Sequence, residues 1–229
     1  MDRVLVDHMS TWQYVYDKLE ISNEEAFNLY NQGKLDEWDW LKLDLALIKN
    51  SHPDINDSKL RKLCEGTPLM EGLKDCLDWI IENNHEVAII SGGMQQTARE
   101  IASMYPSGEP WKKRWGGLSR HYEIDTKFHV FTNGWLSDSL GNVENYGRYQ
   151  VQMNGKGAIV KMLQRRLNIP KSRTISIGDS AGDITMFQES GYSICFNPWD
   201  EKPTKVATET IESTNLLDVL KSIKAVITE

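Results

Sequence analysis

The stretch Thr174-Ile175-Ser176-Ile177-Gly178-Asp179-Ser180-Ala181-Gly182-Asp183 decides the reading of this chain. A short β-branched run stops at a glycine. It delivers two carboxylates four residues apart, just where a helix through Ile184-Thr185-Met186-Phe187-Gln188 should begin. In an open α/β sheet, ligands gather at the carboxyl ends of the strands. Two aspartates on such a loop repel each other and resist desolvation, so they call for a cation. Hard oxygen ligands favour Mg²⁺, which keeps several waters and is usually shared with a substrate phosphate. The competing reading is a solvated turn in which an aspartate caps the helix.

Outward from this loop, helices and strands alternate. A helix over 156–167 stops at Pro170 and precedes the strand Thr174–Ile177. Gly191 leads into a second strand, Tyr192–Phe196, and an amphipathic helix over 215–227 closes the chain. Upstream, Leu73, Cys76, Leu77, Ile80 and Ile81 form a helical stripe that Asn83-Asn84 ends. Glu86-Val87-Ala88-Ile89-Ile90 then reads as a strand buried on both faces, as in parallel sheets. This alternation predicts an α/β fold, a doubly wound and mostly parallel sheet.

Residues 10 to 63 read instead as helices. Ser22-Asn23-Glu24-Glu25 has the capping-box pattern, Gly33 is a plausible stop, and Leu41, Leu45 and Ile48 share a face with Trp38. The predicted division is a core of 1–9 and 66–229 with a helical cap of 10–65. Between 106 and 147 the chain is irregular, with turn signals at Ser107-Gly108, Gly116-Gly117 and Asn133-Gly134. Phe128–Phe131 and Tyr149–Gln152 are candidate hairpin strands. Lys112, Lys113, Arg114, Arg120 and His121, among Trp111 and Trp115, form a small basic cluster that reads as a solvated loop face.

A net charge of −7 and a pI near 5.3 argue against a nucleic-acid surface. They do not argue against phosphorylated small molecules, which local groups capture. No apolar run is long enough for a membrane span or signal peptide, so a cytoplasmic protein without membrane partners is expected. Cys64, Cys76 and Cys195 lack metal-ligand spacing and suit a reducing compartment.

Two further positions carry chemistry. Ser91 ends the apolar strand, and Gly92-Gly93 lets backbone approach a ligand before a helix starts. A hydroxyl, exposed N–H groups and a helix N-terminus together suit phosphate. Lys156 stands at the start of a helix, where the dipole disfavours a cation, so another group should want it there. Lys156 is followed by Gly157 and the leading glycine is missing, so this is no nucleotide-binding P-loop.

In order, the apolar strand ending at Ser91, Lys156 and Gly178-Asp179-Ser180-Ala181-Gly182-Asp183 resemble the haloacid dehalogenase superfamily of phosphotransferases. The closest likeness is to its phosphoserine-phosphatase-like branch. The resemblance covers about residues 68 to 227, and residues 10–65 match that branch's small cap. It implies a Rossmann-like core and a Mg²⁺-dependent phosphatase acting on a small phosphorylated substrate. The family's first motif is Asp-x-Asp-x-(Thr/Val)-Leu, and Asp2-Arg3-Val4-Leu5 fits its second half. The covalent nucleophile, and the central strand before it, would precede Met1. The chain as written is therefore expected to be inactive, with β-ladder partners missing beside that strand.

By the resemblance, Asp2 serves as general acid and base; its carbonyl, Asp179 and the aspartate ahead of Met1 hold the metal, and Asp183 completes the metal site by orienting metal-bound water or Lys156. Ser91, Gly92 and Lys156 hold the phosphoryl group. The cap positions that read phosphoserine's amino and carboxyl groups align with Met9 and Asp44, so phosphoserine is not the expected substrate. A catalytically dead module that binds a phosphorylated ligand or a protein remains open. A serine-esterase reading of Gly178-Asp179-Ser180 is set aside, because its histidine base would follow Ser180 and the last histidine is His129.

Overall fold

The computed structural model describes residues 1–105 and 127–228. The readings at Ser107-Gly108, Gly116-Gly117 and the Lys112–His121 cluster lie outside the described residues. The chain divides into two compact units: residues 1–7, 68–90 and 151–229 form one, and 8–67 with 91–150 the other.

The first unit carries the predicted α/β alternation. Strands β4 (Ile175–Gly178), β5 (Tyr192–Phe196) and β6 (Glu209–Ile211) pair in parallel, with Ile177 opposite Ile194 and Gly178 opposite Cys195. Ile194, Cys195 and Phe196 are fully buried, as expected of a central strand covered on both faces. Among the described residues β4 is an edge of this sheet, with β5 as its ladder partner on one side. Helix α5 (Leu73–Glu82) buries Leu73, Cys76 and Leu77 and packs on α10 (Leu216–Thr228), which buries Leu216, Val219, Leu220 and Ile223. Helix α7 (Lys156–Leu167) packs on the short α8 (Ile184–Gln188). Here the Gly157 N–H donates to Thr185 Oγ1 at 3.2 Å and the Gln164 amide to the Glu189 carbonyl at 2.7 Å. A short helix α9 (Glu201–Thr204) follows β5.

Residues 1–7 form a tight turn rather than a strand. The Met1 carbonyl accepts the N–H groups of Val4, Leu5 and Val6 at 2.7–3.2 Å. The turn is tied to 68–70 by Asp7 N–H to the Pro68 carbonyl (2.9 Å) and Met70 N–H to the Leu5 carbonyl (3.0 Å).

Among its described residues the second unit opens with the helices α1 (Thr11–Leu19), α2 (Glu24–Asn31), α3 (Glu37–Ser51) and α4 (Asp57–Cys64). It also holds α6 (Gln95–Ser103), β2 (Phe128–Ser137) and β3 (Val143–Arg148). β1 (Val87–Met94) enters this unit at Ser91, and its sheet runs β1-β2-β3. The core joins Val15, Tyr16 and Leu19 of α1 to Leu41, Leu45 and Ile48 of α3, with Leu60, Met94, Trp135 and Val143. Full burial of one such aliphatic side chain contributes about 1.5–3 kcal/mol.

Three expectations need correction here. Asn133-Gly134 is no turn; it lies inside β2, with Gly134 opposite Arg148. A side chain on Gly134 would come within 3.1 Å of Gln95 Cβ, so this glycine serves the approach of α6 to the sheet. The hairpin turns instead at Asp138–Gly141, where Asp138 Oδ1 accepts the N–H groups of Leu140 (2.9 Å) and Asn142 (2.8 Å). Its second strand is 143–148 rather than Tyr149–Gln152. The ladder stops because the Gln150 N–H is taken by the Asn133 side chain at 2.8 Å. At the start of α2, the Ser22 hydroxyl accepts the Glu24 N–H at 3.3 Å and no capping box closes.

Candidate active site

The carboxyl end of β4 builds the site in the first unit. After Gly178 the chain turns through Asp179 and Ser180 into a single 3-10 turn, Ala181–Asp183, which runs on into α8. Ser180 and Asp183 close a reciprocal capping box. Asp183 Oδ2 accepts the N–H groups of Asp179 (3.0 Å) and Ser180 (3.2 Å) and the Ser180 hydroxyl (3.3 Å). Its other oxygen accepts Lys156 Nζ at 2.6 Å. Burial works to raise the Asp183 pKa, but Lys156 and the converging donors outweigh it and hold the carboxyl below its ordinary value.

This geometry accounts for two features of the sequence. Lys156 begins α7 against the helix dipole because Asp183 receives it, and the pair is nearly shut from water, at 11% and 4% side-chain exposure. Gly178 ends the strand because a Cβ there would lie 2.3 Å from the Asp183 carboxyl carbon. No other residue leaves room for the carboxylate that organises the loop.

Asp179 is in a different state. Burial, then the charge of Asp183, raise its pKa to about 6, and the nearby cations only partly compensate. Its carbonyl accepts the Trp199 N–H at 2.7 Å, and Asp200 accepts the Ala181 N–H at 3.3 Å, so the 197–200 loop braces the aspartate loop from behind. Arg3 Nε stands 3.2 Å from Asp179 Oδ2. Nothing in the sequence reading assigned Arg3, although an arginine inside the first motif beside an aspartate was the available signal.

A Mg²⁺ ion is implied by the resemblance. Among the described residues no group of three or more His, Cys, Asp or Glu side chains converges as a ready-made cage. The donor chemistry nevertheless fits Mg²⁺, which takes one or two carboxylates and completes its shell with water and phosphate oxygens. A desolvated carboxylate whose proton is held up to about 6 is the state that a cation would relieve.

Ser91 and Gly92 belong to the second unit. Ser91 is buried, and its oxygen accepts the Gly93 N–H at 3.0 Å, which leaves the hydroxyl proton to donate elsewhere. The Gly92 carbonyl accepts Trp12 Nε1 at 3.1 Å, and the Met94 N–H donates to Thr11 Oγ1 at 2.8 Å, so α1 anchors this loop. β1 runs on through Gly92 and Gly93 to Met94, three residues past the predicted strand end at Ser91.

Residues 142–222 match the family of haloacid dehalogenase-like hydrolases. The phosphoserine phosphatase of Methanocaldococcus jannaschii is 25% identical over 96% of this chain and 90% of its own length. That of Wolinella succinogenes is 25% identical over 72% of this chain and 68% of its own. Among solved structures, a substrate-bound phosphoserine phosphatase complex superposes with a TM-score of 0.74 at 21% identity, covering 97% of this chain and 94% of the other. A HAD-family hydrolase from Salmonella enterica gives 0.72 at 19% identity, over 92% of this chain and 64% of the other. Motif order, the α/β fold and these likenesses agree: over residues 142–222 the chain is similar to haloacid dehalogenase-like hydrolases, and over most of its length to phosphoserine phosphatases.

Proposed function

We propose that this protein is a Mg²⁺-dependent phosphomonoester hydrolase acting on a small phosphorylated metabolite. The observation that carries the reading is the buried Lys156–Asp183 pair, 2.6 Å apart, on the same loop as the desolvated Asp179. Lys156 is a fixed positive charge that balances the negative charge spread over the oxygens of the transferring phosphoryl group. Asp183 is a positioning residue, since both of its oxygens are engaged in holding Lys156 and the loop. Asp179 and the Asp2 carbonyl are the oxygens that would hold Mg²⁺, which when bound neutralises phosphate charge. By the resemblance, Ser91 and the amides around Gly92 would be donors to phosphoryl oxygens.

In the family motif the attacking carboxylate stands two residues ahead of the position of Asp2, outside residues 1–229. Its attack on phosphorus would form an aspartyl-phosphate and release the alkoxide, to which Asp2 gives a proton. Asp2, now a base, takes a proton from water as the water attacks phosphorus, releasing orthophosphate and restoring both carboxyl groups. One of the structurally similar proteins is a phospho-aspartyl intermediate analogue of phosphoserine phosphatase, which supports this route for that protein.

The relatives' names suggest phosphoserine, whereas two cap positions speak against it. Met9 is exposed and carries no charge for an ammonium. Asp44 is buried, accepts the Asn23 amide at 3.3 Å and offers a carboxylate no attraction. Among the described residues no helix is long and apolar enough to cross a membrane. Cys64, Cys76 and Cys195 are buried and unbridged, and burial pushes their thiols up to between about 11 and about 12, which makes them packing residues rather than nucleophiles.

The test is hydrolysis of p-nitrophenyl phosphate with Mg²⁺ or with EDTA. It uses the chain as written and the same chain preceded by an apolar run ending in aspartate. The extended protein is expected to turn over with Mg²⁺ and stop with EDTA, to lose about 100-fold or more in K156M, and to leave phosphoserine largely untouched. The chain as written is expected to bind phosphate without turnover. Rapid Mg²⁺-dependent turnover by the chain as written would refute the role given to the upstream carboxylate. Binding without turnover by both proteins would instead leave a phosphate-binding module.

A further inference from the structure

Arg3 occupies a position that its own backbone disfavours. Its φ is +58°, in the left-handed region where a non-glycine side chain is strained. Such conformations persist when the surroundings over-determine them, and here they do. One terminal nitrogen of Arg3 donates to the Asn197 carbonyl at 2.9 Å, and the guanidinium lies 5.1 Å from the centre of the Trp199 ring. This cradle is itself rigid. Asn197, also left-handed at φ +47°, donates its N–H to the Ile211 carbonyl at 2.9 Å. Its side-chain oxygen accepts the Ser213 N–H at 2.9 Å. The Trp199 N–H holds the Asp179 carbonyl. The guanidinium is therefore fixed beside the Asp179 carboxylate and cannot swing clear at little cost.

The contact with Asp179 is one of charge more than of hydrogen bonding. Arg3 Nε is buried and lies 3.2 Å from Asp179 Oδ2, yet the N–H is not aligned on that oxygen. The carboxylate keeps lone pairs for another cation, but a cation that used them would meet a guanidinium only a few ångströms away.

We propose that Arg3 is a resident counter-cation of Asp179 that weakens divalent-metal binding at this carboxylate. It rests on the metal-site reading of Asp179 given above. Arg3 is in this sense a positioning residue: it orients the carboxylate, and it sets the metal affinity by electrostatic competition. A like charge so close in a partly desolvated pocket is worth about a factor of ten in affinity.

The experiment titrates Mn²⁺, as a spectroscopic stand-in for Mg²⁺, into the metal-free proteins, followed by electron paramagnetic resonance of the free ion and by calorimetry. Four proteins are compared: the unaltered chain, R3G, R3K and D179N. Glycine suits the backbone at this position, so R3G removes the charge without adding strain. R3G is expected to bind Mn²⁺ about tenfold more tightly, R3K about as weakly as the unaltered chain, and D179N not at all. Equal or weaker binding by R3G would overturn the proposal. So would R3K binding as tightly as R3G, because shape rather than charge would then be the cause. If Mn²⁺ binding is absent from the unaltered chain or survives D179N, the metal-site reading itself fails and takes this proposal with it. Failure of the R3G arm alone leaves that reading standing.

Discussion

Asp183 in the first unit and Asp44 in the second are both buried carboxylates, with 3% and 6% exposure, yet burial leaves them in opposite states. Asp183 is met by an ammonium, two backbone N–H groups and a hydroxyl, and its pKa is depressed. Asp44 has the Asn23 amide at 3.3 Å, while the nearby Tyr16 hydroxyl and Trp40 indole N–H close no hydrogen bond. Burial dominates there and raises the carboxyl to about 6, although Tyr16, Asn23 and Trp40 pull the other way. Burial alone does not set the charge state; the number and alignment of donors do. The loop in the first unit is built around an anion, whereas the second unit tolerates one.

The largest expected break in this comparison is D183N. It leaves the Lys156 ammonium buried without its counter-charge, and the cost is about 3–5 kcal/mol. Urea denaturation at neutral pH measures it. Because the Asp183 pKa is depressed on folding, its contribution is present above the ordinary carboxylate range and is lost as pH falls through the folded value. The D183N deficit should therefore shrink in acid. A D183N protein as stable as the parent at neutral pH would show that the donors around Asp183 are incidental.

G178A tests the same loop by shape. The added Cβ would meet the Asp183 carboxyl carbon at 2.3 Å, so strand end and carboxylate must part. The expected loss is about 1–3 kcal/mol. A melt unchanged from the parent would mean that the loop has slack not evident in its packing.

The smallest effect, and one of opposite sign, is expected of D44N. The Asp44 pKa is raised from 3.8 to about 6 on folding, so the folded chain holds that proton more tightly. The stability this brings is complete below the unfolded value and is lost as pH rises through about 6. A neutral asparagine does not lose it. D44N should be more stable than the parent by about 1–2 kcal/mol near pH 8, with the gain vanishing in acid. Thermal melts across pH would show it, and destabilisation by D44N at pH 8 would count Asp44 with Asp183 as a built anion.

How much of this was legible beforehand depends on range. β-branched runs, the stop at Gly178 and the stripe Leu73, Cys76, Leu77 are local patterns, and β4, β5, α5, α7, α8 and α10 fall within a residue or two of where those patterns put them, whereas the short α9 and β6 had no such signal. The misplacement of Lys156 against a helix dipole was a local anomaly that pointed to a partner, but it did not say which one. Asn133-Gly134 misled, because the local turn preference of that pair lost to the packing of α6 on β2. Arg3 stayed unread for a related reason. What makes it distinctive is its distance to Asp179, Asn197 and Trp199, far along the chain.

The sequence by itself determined the alternation of elements, the glycine-to-aspartate loop at a strand end and the order of Ser91, Lys156, Asp179 and Asp183, because each follows from neighbours a few residues apart. The tertiary structure decided which oxygen of Asp183 receives Lys156, why Gly178 must lack a side chain, and that Arg3 stands against Asp179. Those facts depend on distances between residues remote in sequence, and only packing sets them.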